Sequence, residues 1–302
     1  MIEGLPDGLV QRFATAGDVE PIYDLIAAAE LDLDGEVEVD RDDVAMGFGR
    51  TRFDPTADCV LVFDDDAPIA WAEVYQNRAE ADVRPSHRAR GIGRAILAWT
   101  ETRAREHGES KVSQIVTDAN VDAARLLSNT GYEPSRTSWI LEISLAERPP
   151  DPVPPAGVTI RAFEPGRDER AAYRLIDDAF SEWEGRDPIP FEEWAPYVLH
   201  HNAFSPDCSP LAFEGNELVG AVLSFVYRDT DEGWVHQLAT RSSHRHRGIA
   251  RALLHAAFGG FHDRGKVRGG LSTDSRTGAL TLYERVGMSV RRSYTRYTKP
   301  LD

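Results

Sequence analysis

The stretch Arg84-Pro-Ser-His-Arg-Ala-Arg-Gly-Ile-Gly-Arg-Ala-Ile-Leu-Ala98 decides the fold, because the chain contains it twice. It aligns with Arg241-Ser-Ser-His-Arg-His-Arg-Gly-Ile-Ala-Arg-Ala-Leu-Leu-His255, with ten of fifteen positions identical at an offset of 157 residues. Repetition over so long a period indicates a duplicated structural unit. A chain of 302 residues also has room for two domains of ordinary size. The sequence therefore predicts two copies of one domain.

A proline-rich segment separates the two copies. Glu147–Gly157 contains five prolines in eleven residues. Proline lacks a backbone N–H and disfavours helix, so this segment is predicted to be an extended, stiff connector. We therefore expect an N-terminal domain over residues 1–146, a linker over 147–157 and a C-terminal domain over 158–302.

Hydrophobic periodicity predicts the same order of elements in both copies. In the second copy the pattern predicts strands at Val158–Ala162, Pro210–Phe213, Leu218–Tyr227, Gly233–Thr240, Gly269–Thr273 and Ser289–Lys299, and helices at Asp168–Phe180, Phe191–His200, Ile249–Phe261 and Ala279–Val286. In the first copy it predicts strands at Val60–Phe63, Ile69–Tyr75, Ser113–Thr117 and Thr137–Ile143, and helices at Gly91–His107 and Asp122–Thr130. The predicted fold class is α+β, sandwich-like, with a mixed, mostly antiparallel sheet flanked by helices in each copy.

Composition narrows the cellular setting and the partners. No run of about 18–20 apolar residues could cross a membrane, and Met1 begins no signal peptide. Two cysteines cannot build a disulfide framework, so we expect a cytoplasmic protein without a membrane partner. The net charge of −16 argues against nucleic acid as a partner. Of that charge, −14 lies in residues 1–150, so it bears little on the acceptor of the second copy.

The glycine-rich turn of each repeat has the properties of an anion site. Small residues let the backbone approach a ligand closely, and the N-terminus of the following helix attracts negative charge. Three arginines surround each turn, and a pyrophosphate would fit there. The spacing is neither the dinucleotide-binding Gly-x-Gly-x-x-Gly nor a phosphate-binding loop with a Lys after the glycines. The arginines are Arg88, Arg90 and Arg94 in the first copy and Arg245, Arg247 and Arg251 in the second.

This turn resembles the acyl-CoA-binding motif of the GCN5-related N-acetyltransferase (GNAT) superfamily, Gln/Arg-x-x-Gly-x-Gly/Ala. The resemblance covers nearly the whole chain as two consecutive copies, and it implies acetyl-CoA as the acyl donor with no metal. It assigns cofactor-binding roles to Val83, Arg88, Ala89, Arg90, Gly91, Ile92, Gly93, Arg94 and Asn120 in the first copy. In the second copy it assigns them to Leu238, Ala239, Thr240, Arg245, His246, Arg247, Gly248, Ile249, Ala250, Arg251 and Arg276.

A second family motif distinguishes the two copies. The superfamily shows Asn-x-x-Ala-x-x-Leu-Tyr after the motif helix, and its Tyr donates a proton to the departing thiolate. The second copy has this hydroxyl at Tyr283, whereas the first copy has Leu127 there. The first copy keeps the Asn at Asn120, whereas the second has Arg276. Because the chemistry needs the hydroxyl more than the amide, we predict that the second copy is catalytic and the first catalytically degenerate.

The general base is predicted less directly. Where the family often has Glu, this chain has Trp234, but His236 and Glu232 lie two residues away on either side. Residues i±2 of a strand share one face, so both side chains could reach the same cleft. His236 is the first choice, because an imidazole pKa near ~6.5 suits proton transfer. The alternatives are a hydrogen-bonded strand histidine and a turn role for Glu232.

Other polar residues predict no further chemistry. His200-His201, and His244 with His246, lack a carboxylate or thiol partner at ligand spacing and make a poor metal site. Cys59 and Cys208 lack basic neighbours and are predicted to be buried structural residues.

The leading hypothesis is an acetyl-CoA-dependent N-acetyltransferase that acts on the primary amine of a small molecule. Its tandem arrangement resembles the mycothiol synthase group of the superfamily, which acetylates a cysteinyl amine. Other amines, amino sugars and antibiotics are alternative acceptors. The alternatives from other classes are a non-catalytic acyl-CoA-binding or regulatory protein and, more weakly, transfer from an aminoacyl-tRNA. The duplication would give either a monomer that is already a pseudo-dimer or a homodimer.

Overall fold

The computed structural model describes residues 1–183 and 188–301, which form two compact units. Unit 1 consists of Met1–Thr137 together with the chain from Tyr294 onward, and unit 2 consists of Ser138–Ser293. Each unit has a mixed, mostly antiparallel sheet with helices packed against it. This arrangement confirms the α+β prediction.

In unit 1 the sheet order is β1-β2-β3-β4-β5, followed by the end of β12. All neighbours are antiparallel except β4 and β5, which are parallel. The elements are β1 (Leu9–Phe13), α1 (Val19–Asp34), α2 (Arg41–Phe48), α3 (Pro55–Asp58), β2 (Cys59–Asp64), β3 (Ala67–Tyr75), β4 (Arg78–Val83), α4 (Ile92–Glu106), β5 (Lys111–Thr117), α5 (Val121–Asn129) and β6 (Glu133–Ser144).

Unit 2 repeats this order as β7-β8-β9-β10-β11, followed by the end of β6. Its parallel pair is β10 and β11. The elements are β7 (Val158–Ala162), α6 (Glu169–Phe180), α7 (Phe191–Val198), β8 (Pro210–Glu214), β9 (Glu217–Val226), β10 (Glu232–Thr240), α8 (Ile249–Asp263), β11 (Arg268–Asp274), α9 (Leu280–Arg285) and β12 (Ser289–Pro300).

The last strand of each unit comes from the other repeat of the sequence. In unit 2, Ser138–Ser144 of β6 pairs antiparallel with β11. In unit 1, Tyr294–Pro300 of β12 pairs antiparallel with β5. Each compact unit is therefore completed by residues from the other side of the proline-rich segment, and the sequence boundaries 1–146 and 158–302 stay a prediction about independent domains.

The motif helix forms the core of unit 2. Leu253 and Phe258 of α8 are buried against the sheet, and Phe261 lies over Gly233 of β10. A Cβ atom on Gly233 would stand 2.2 Å from the Phe261 ring, so only glycine lets helix and strand approach this closely. This close packing fixes the end of α8 beside the start of β10. No helix in the described part of the chain is long and apolar enough to cross a membrane.

Candidate active site

A cleft opens in unit 2 where the two parallel strands part. β10 and β11 pair only from Glu232↔Arg268 to Val235↔Leu271. Beyond Val235, β10 retains β9 on one edge, while its residues up to Thr240 line the cleft. The first turn of α8 and helix α9 form the other walls, and the cavity has a volume of about 1480 Å³. The cleft is large enough for a cofactor and a small acceptor together.

A β-bulge places His236 at the point where the strands part. The register between β9 and β10 shifts between Val235 and Gln237, so β10 has one residue more than its partner there. In unit 1, β3 and β4 pair through the matching region without a shift. His236 is therefore a residue without a counterpart in unit 1. Bulges redirect side chains and are frequent beside active sites.

The glycine-rich turn has the same backbone in both units. Gly248 (φ +88°) caps α8 and Gly91 (φ +90°) caps α4, and two positions earlier His246 (φ +62°) and Ala89 (φ +60°) are also left-handed. Nothing lies within 4 Å of the Cβ position of either glycine, so a ligand can approach the helix N-terminus. This geometry suits a phosphate group in each unit.

The cofactor residues predicted for the second copy all line this one cleft. They are Leu238, Ala239, Thr240, Arg245, His246, Arg247, Gly248, Ile249, Ala250, Arg251 and Arg276. The lining includes five arginines and two carboxylates, although the chain as a whole carries a net charge of −16. The described lining of the cleft therefore has a net positive charge, which favours an anionic ligand.

Carboxylates hold two of the arginines at the turn. Arg245 donates to both oxygens of Glu182 at 2.7 and 3.1 Å and also to the Thr240 carbonyl. Arg247 pairs with Glu214, which accepts a hydrogen bond from His244 as well. Hydrogen bonds from Arg247 and His244 lower the pKa of the Glu214 carboxyl to about 2. Both arginines are thus oriented before any ligand arrives.

The turn in unit 1 repeats this network. Arg88 donates to Asp32 at 2.6 Å and to the Val83 carbonyl, as Arg245 does to Glu182 and Thr240. Asp64 contacts both His87 (3.2 Å) and Arg90 (3.6 Å), as Glu214 contacts His244 and Arg247. The duplication therefore extends to the side-chain contacts of the anion turn.

Tyr283 lies on α9 in the wall of the cleft. Its side chain is 8% exposed and belongs to the core of unit 2. Burial raises the pKa of Tyr283 to about 12, and a hydrogen bond with Thr273 opposes part of that rise. The hydroxyl therefore keeps its proton at neutral pH and can donate it as a hydrogen bond. At the matching position in unit 1, Leu127 is fully buried and has no donor.

The structure separates the two side chains predicted to serve as base. His236 is exposed and lines the cleft. Glu232 is not among the cleft-lining residues described; it pairs with Arg291 at 3.4 Å inside a largely buried cluster with Glu142. A Cβ atom at Gly270 would lie 2.0 Å from Oε1 of Glu232. The Glu232 carboxylate therefore fits there only because residue 270 is glycine. Burial raises the pKa of Glu232, and the Arg291 guanidinium opposes that rise.

The Asn and Arg positions of the second motif have local partners. Asn120 caps α5, where its side chain accepts a hydrogen bond from the Ala123 N–H at 3.0 Å. Arg276 pairs with Asp274 at 2.7 Å and lies over the Trp183 ring at 5.2 Å. The Asn120 side chain is thus used in helix capping, whereas Arg276 lies in the cleft wall. Of the remaining residues predicted for the first copy, Ile92, Gly93 and Arg94 form the first turn of α4, and Ala89 lies in the turn before it.

Several residues of the cleft wall lie outside the predicted catalytic and cofactor-binding residues. Phe180, Glu182 and Trp183 follow the body of α6, and the Phe180 and Trp183 rings stack at 4.3 Å. Ser138 reaches the cleft on β6, from the first repeat of the sequence. Only tertiary structure brings these residues to the motif turn, and no local sequence signal marks them.

The cysteine prediction is confirmed. Cys59 and Cys208 are buried and not disulfide-bonded, and burial raises the pKa of both thiols. Across residues 1–183 and 188–301, no three histidine, cysteine or carboxylate residues are grouped in a way that could hold a metal ion.

Comparison with known proteins agrees with this geometry. The acetyltransferase (GNAT) family matches residues 20–132 and 170–288. The mycothiol acetyltransferase of Thermobispora bispora is 28% identical over 304 aligned residues, covering 94% of this chain and 95% of the relative. That of Catenulispora acidiphila is 28% identical over 225 residues, covering 72% and 71%.

Two solved structures share the fold across the whole chain. A GCN5-related N-acetyltransferase from Sphaerobacter thermophilus has a TM-score of 0.81 and 32% identity, covering 98% of this chain and 97% of that one. A tandem GNAT protein from the clavulanic acid biosynthesis pathway has a TM-score of 0.74 and 16% identity, covering 97% and 99%. The two turns, the parting strands and these matches lead to one conclusion: the chain belongs to the acetyltransferase (GNAT) family and carries two copies of its domain in tandem.

Proposed function

We propose that unit 2 transfers an acetyl group from acetyl-CoA to the primary amine of a small molecule. The observation that carries this proposal is the cleft beside β10, which brings an anion turn, a buried tyrosine hydroxyl and an exposed imidazole into one cavity. Unit 1 has the anion turn but neither Tyr283 nor His236 at the matching positions.

The residues present fit acetyl-CoA. The open N-terminus of α8 at Gly248 and the basic side chains around it would hold the diphosphate. Leu238–Thr240 would line the path of the pantetheine arm along β10, with Arg276 opposite. When bound, acetyl-CoA supplies a thioester whose carbonyl carbon an amine can attack.

His236 is the proposed general base. A protonated amine has no lone pair for attack, so a group in the cleft must accept its proton. His236 is exposed to the cleft on the bulge, whereas Glu232 is held by Arg291 away from the lining. A neutral imidazole has a ring nitrogen that can accept this proton.

The backbone of β10 and the Tyr283 hydroxyl would stabilise the negative charge that develops on the carbonyl oxygen and on the departing thiolate. Beyond Val235, one edge of β10 faces the cleft, and an N–H on that edge can donate to an oxygen that gains negative charge. Tyr283 is the proposed donor to the departing thiolate. Because burial raises its pKa to about 12, it is fully protonated at the pH where a thiol of pKa near ~8.5 leaves.

The acceptor is proposed from the relatives and the lining together. A relative similar over 94% of this chain is called mycothiol acetyltransferase, which supports a small-molecule acceptor. The described lining includes Arg245, Arg247, Arg251, Arg276 and Arg285. This positive charge disfavours a polycationic acceptor, so we expect a single amine on a neutral or anionic molecule.

A thiol-release assay tests the proposal. The purified chain would be mixed with acetyl-CoA at pH 8 and a panel of cysteinyl conjugates, amino sugars and aminoglycosides, and free CoA would be measured. We expect release with at least one amine and about a 100-fold lower kcat for His236→Gln. Acetyl-CoA binding without CoA release across the panel would instead favour a non-catalytic acyl-CoA-binding protein. Equal rates for His236→Gln and the parent would remove His236 from the role of base.

A further inference from the structure

The ring of His236 is part of an aromatic stack. It lies nearly parallel to the Phe225 ring, with centroids 4.2 Å apart and an interplanar angle of 19°. His201 stacks on the same Phe225 ring at 4.5 Å and 12°. Tyr227 meets both Phe225 and His201 edge-on, at 6.2 and 5.9 Å. The exposed imidazole of His236 is thus stacked on a group of rings of which Phe225 and His201 are buried.

The inner rings are held in place by burial and hydrogen bonds. Phe225 is 3% exposed and His201 6%. His201 Nδ1 accepts a hydrogen bond from the Ala203 N–H at 3.0 Å. The loop around it is bonded to β9, because the Val226 N–H donates to the Ala203 carbonyl at 2.7 Å. The phenyl ring therefore offers His236 a fixed surface.

We propose that Phe225 is the positioning residue for His236: its ring face fixes the orientation of the imidazole and presents the imidazole edge to the cleft. A residue on a bulge lacks the regular cross-strand neighbours that restrict side chains elsewhere in a sheet. Stacking on a fixed aromatic ring restricts the orientation of the imidazole. A base must lie within hydrogen-bond reach of the proton it removes, so freedom of the imidazole would lower the fraction of productive complexes.

The inference rests on the proposed role of His236 as base, but the stack has a readout of its own. Protons of an imidazole over a phenyl face resonate upfield of those of an unstacked imidazole. We expect upfield ring-proton signals in the parent, assigned by their loss in His236→Gln, and a downfield move in Phe225→Leu. Unshifted His236 signals in the parent would overturn the inference whatever the kinetics show.

The kinetic test separates positioning from stability. We expect Phe225→Leu to lower kcat roughly ten-fold while the Kd for acetyl-CoA stays within about two-fold, because the anion turn is untouched. Phe225→Tyr, which keeps the ring, should retain kcat within about three-fold. The control is Phe258→Leu, an equally buried ring in the core behind α8, where any loss should follow the melting temperature.

Each outcome decides one point. Full kcat in Phe225→Leu, or a joint loss of kcat, binding and stability like that of Phe258→Leu, would overturn the positioning role. If Phe225→Leu does not fold, the parent spectrum and Phe225→Tyr still decide. Full activity in His236→Gln would overturn the assignment of the base while leaving the measured stack intact, so the two failures are distinguishable.

Discussion

Units 1 and 2 have nearly the same anion turn and differ one strand away from it. Around the turn, the glycine caps, the left-handed residues before them and the paired arginines correspond one to one. Along the neighbouring strand the units diverge, because the bulge with His236 occurs in β10 and not in β4. Duplication thus preserved a geometry that suits an anion, while the groups proposed for chemistry are found in one copy.

The two units also differ in the side chains of the paired strands, β3 and β4 in unit 1 and β9 and β10 in unit 2. Trp71 and Asp82 face each other on β3 and β4 of unit 1, where the indole N–H donates to the carboxylate at 3.2 Å. The matching pair on β9 and β10 of unit 2 is Ala221 and Ala239. Large polar side chains in one copy and two methyl groups in the other show that the two strands have different surroundings.

The largest expected effect concerns the independence of the copies. A fragment of residues 147–302 lacks Ser138–Ser144, so β11 loses its antiparallel partner and the core loses Leu141, which is fully buried. Burying one such side chain contributes about 1.5–3 kcal/mol, and the seven ladder positions add to it. We expect this fragment to be unfolded by circular dichroism, whereas residues 138–293 fold. A folded, acetyl-CoA-binding 147–302 fragment would show that the exchanged strand is dispensable.

The next prediction compares the two glycine caps. Glu at residue 248 would put a carboxylate at the helix N-terminus and force a non-glycine residue to φ +88°. We expect Gly248→Glu to lower acetyl-CoA affinity and kcat/KM more than 100-fold. The matched variant Gly91→Glu should leave turnover within about two-fold, which calorimetry and the thiol assay would measure together. Equal losses in both variants would mean that the chemistry uses both turns.

The third prediction concerns the tyrosine difference. Tyr283→Phe removes the proposed proton donor and leaves the buried ring in place, so kcat should fall about 30–100-fold while acetyl-CoA binding is retained. Leu127→Tyr in unit 1 should add no activity, because unit 1 lacks the bulge that carries His236. An unchanged kcat in Tyr283→Phe would assign thiolate protonation to another group.

Local sequence signals account for what could be predicted. The glycine turn, the motif helix and the buried strands are specified by adjacent residues, and their predicted bounds agree with the structure to within a few residues. β4 was not predicted as an element: Arg78, Glu80 and Asp82 alternate with apolar residues as on a half-buried strand, but alanine and acidic residues have low β-propensity. The strand exchange depends on pairing between residues more than 120 positions apart, which periodicity cannot reveal.

The candidate site also contains both residues that adjacent sequence specifies and residues that only the folded chain brings together. The residues predicted to bind the cofactor in the second copy line one cleft; Arg245–Arg251 are continuous in sequence, so the turn holds them together, whereas Arg276 comes from the second motif. The expectation that Glu232 and His236 share one cleft assumed regular alternation, and the bulge between Val235 and Gln237 interrupts it. Glu182 reaches Arg245 across 63 positions of sequence, so only the packing of α6 on β10 brings them together.

Two carboxyl groups of unit 1, on Glu73 of β3 and Asp82 of β4, give a prediction about how stability depends on pH. Burial raises the pKa of Asp82 to about 7 and that of Glu73 to about 6. A carboxyl group whose pKa is raised on folding binds its proton more readily in the folded state, so the free energy of unfolding falls as pH rises from about 4 to about 7. Asp82→Asn should flatten this dependence and stabilise unit 1 by about 1–3 kcal/mol at pH 8.

Urea denaturation at pH 5 and pH 8 measures this effect. Asp66→Asn, at an exposed position of the turn between β2 and β3, is the control and should change the free energy of unfolding at neither pH by more than about 0.5 kcal/mol. If Asp82→Asn raises the free energy of unfolding equally at pH 5 and pH 8, the effect is due to packing rather than to ionisation.

The smallest expected effect concerns the carboxylates that hold the arginines. Glu182 accepts one N–H from each terminal nitrogen of Arg245, and the pair is largely exposed, so the interaction contributes only about 0.2–1 kcal/mol. The carboxylate offsets the charge of Arg245 and repels a diphosphate that would bind there. Glu182→Gln should therefore lower the Kd for acetyl-CoA about two- to four-fold, with the difference shrinking at high salt. Asp32→Asn frees Arg88 in unit 1 and should not alter binding at unit 2. If Glu182→Gln weakens binding instead, Glu182 orients Arg245 for the cofactor rather than competing with it, and the paired arginines of both units are preorganised sites.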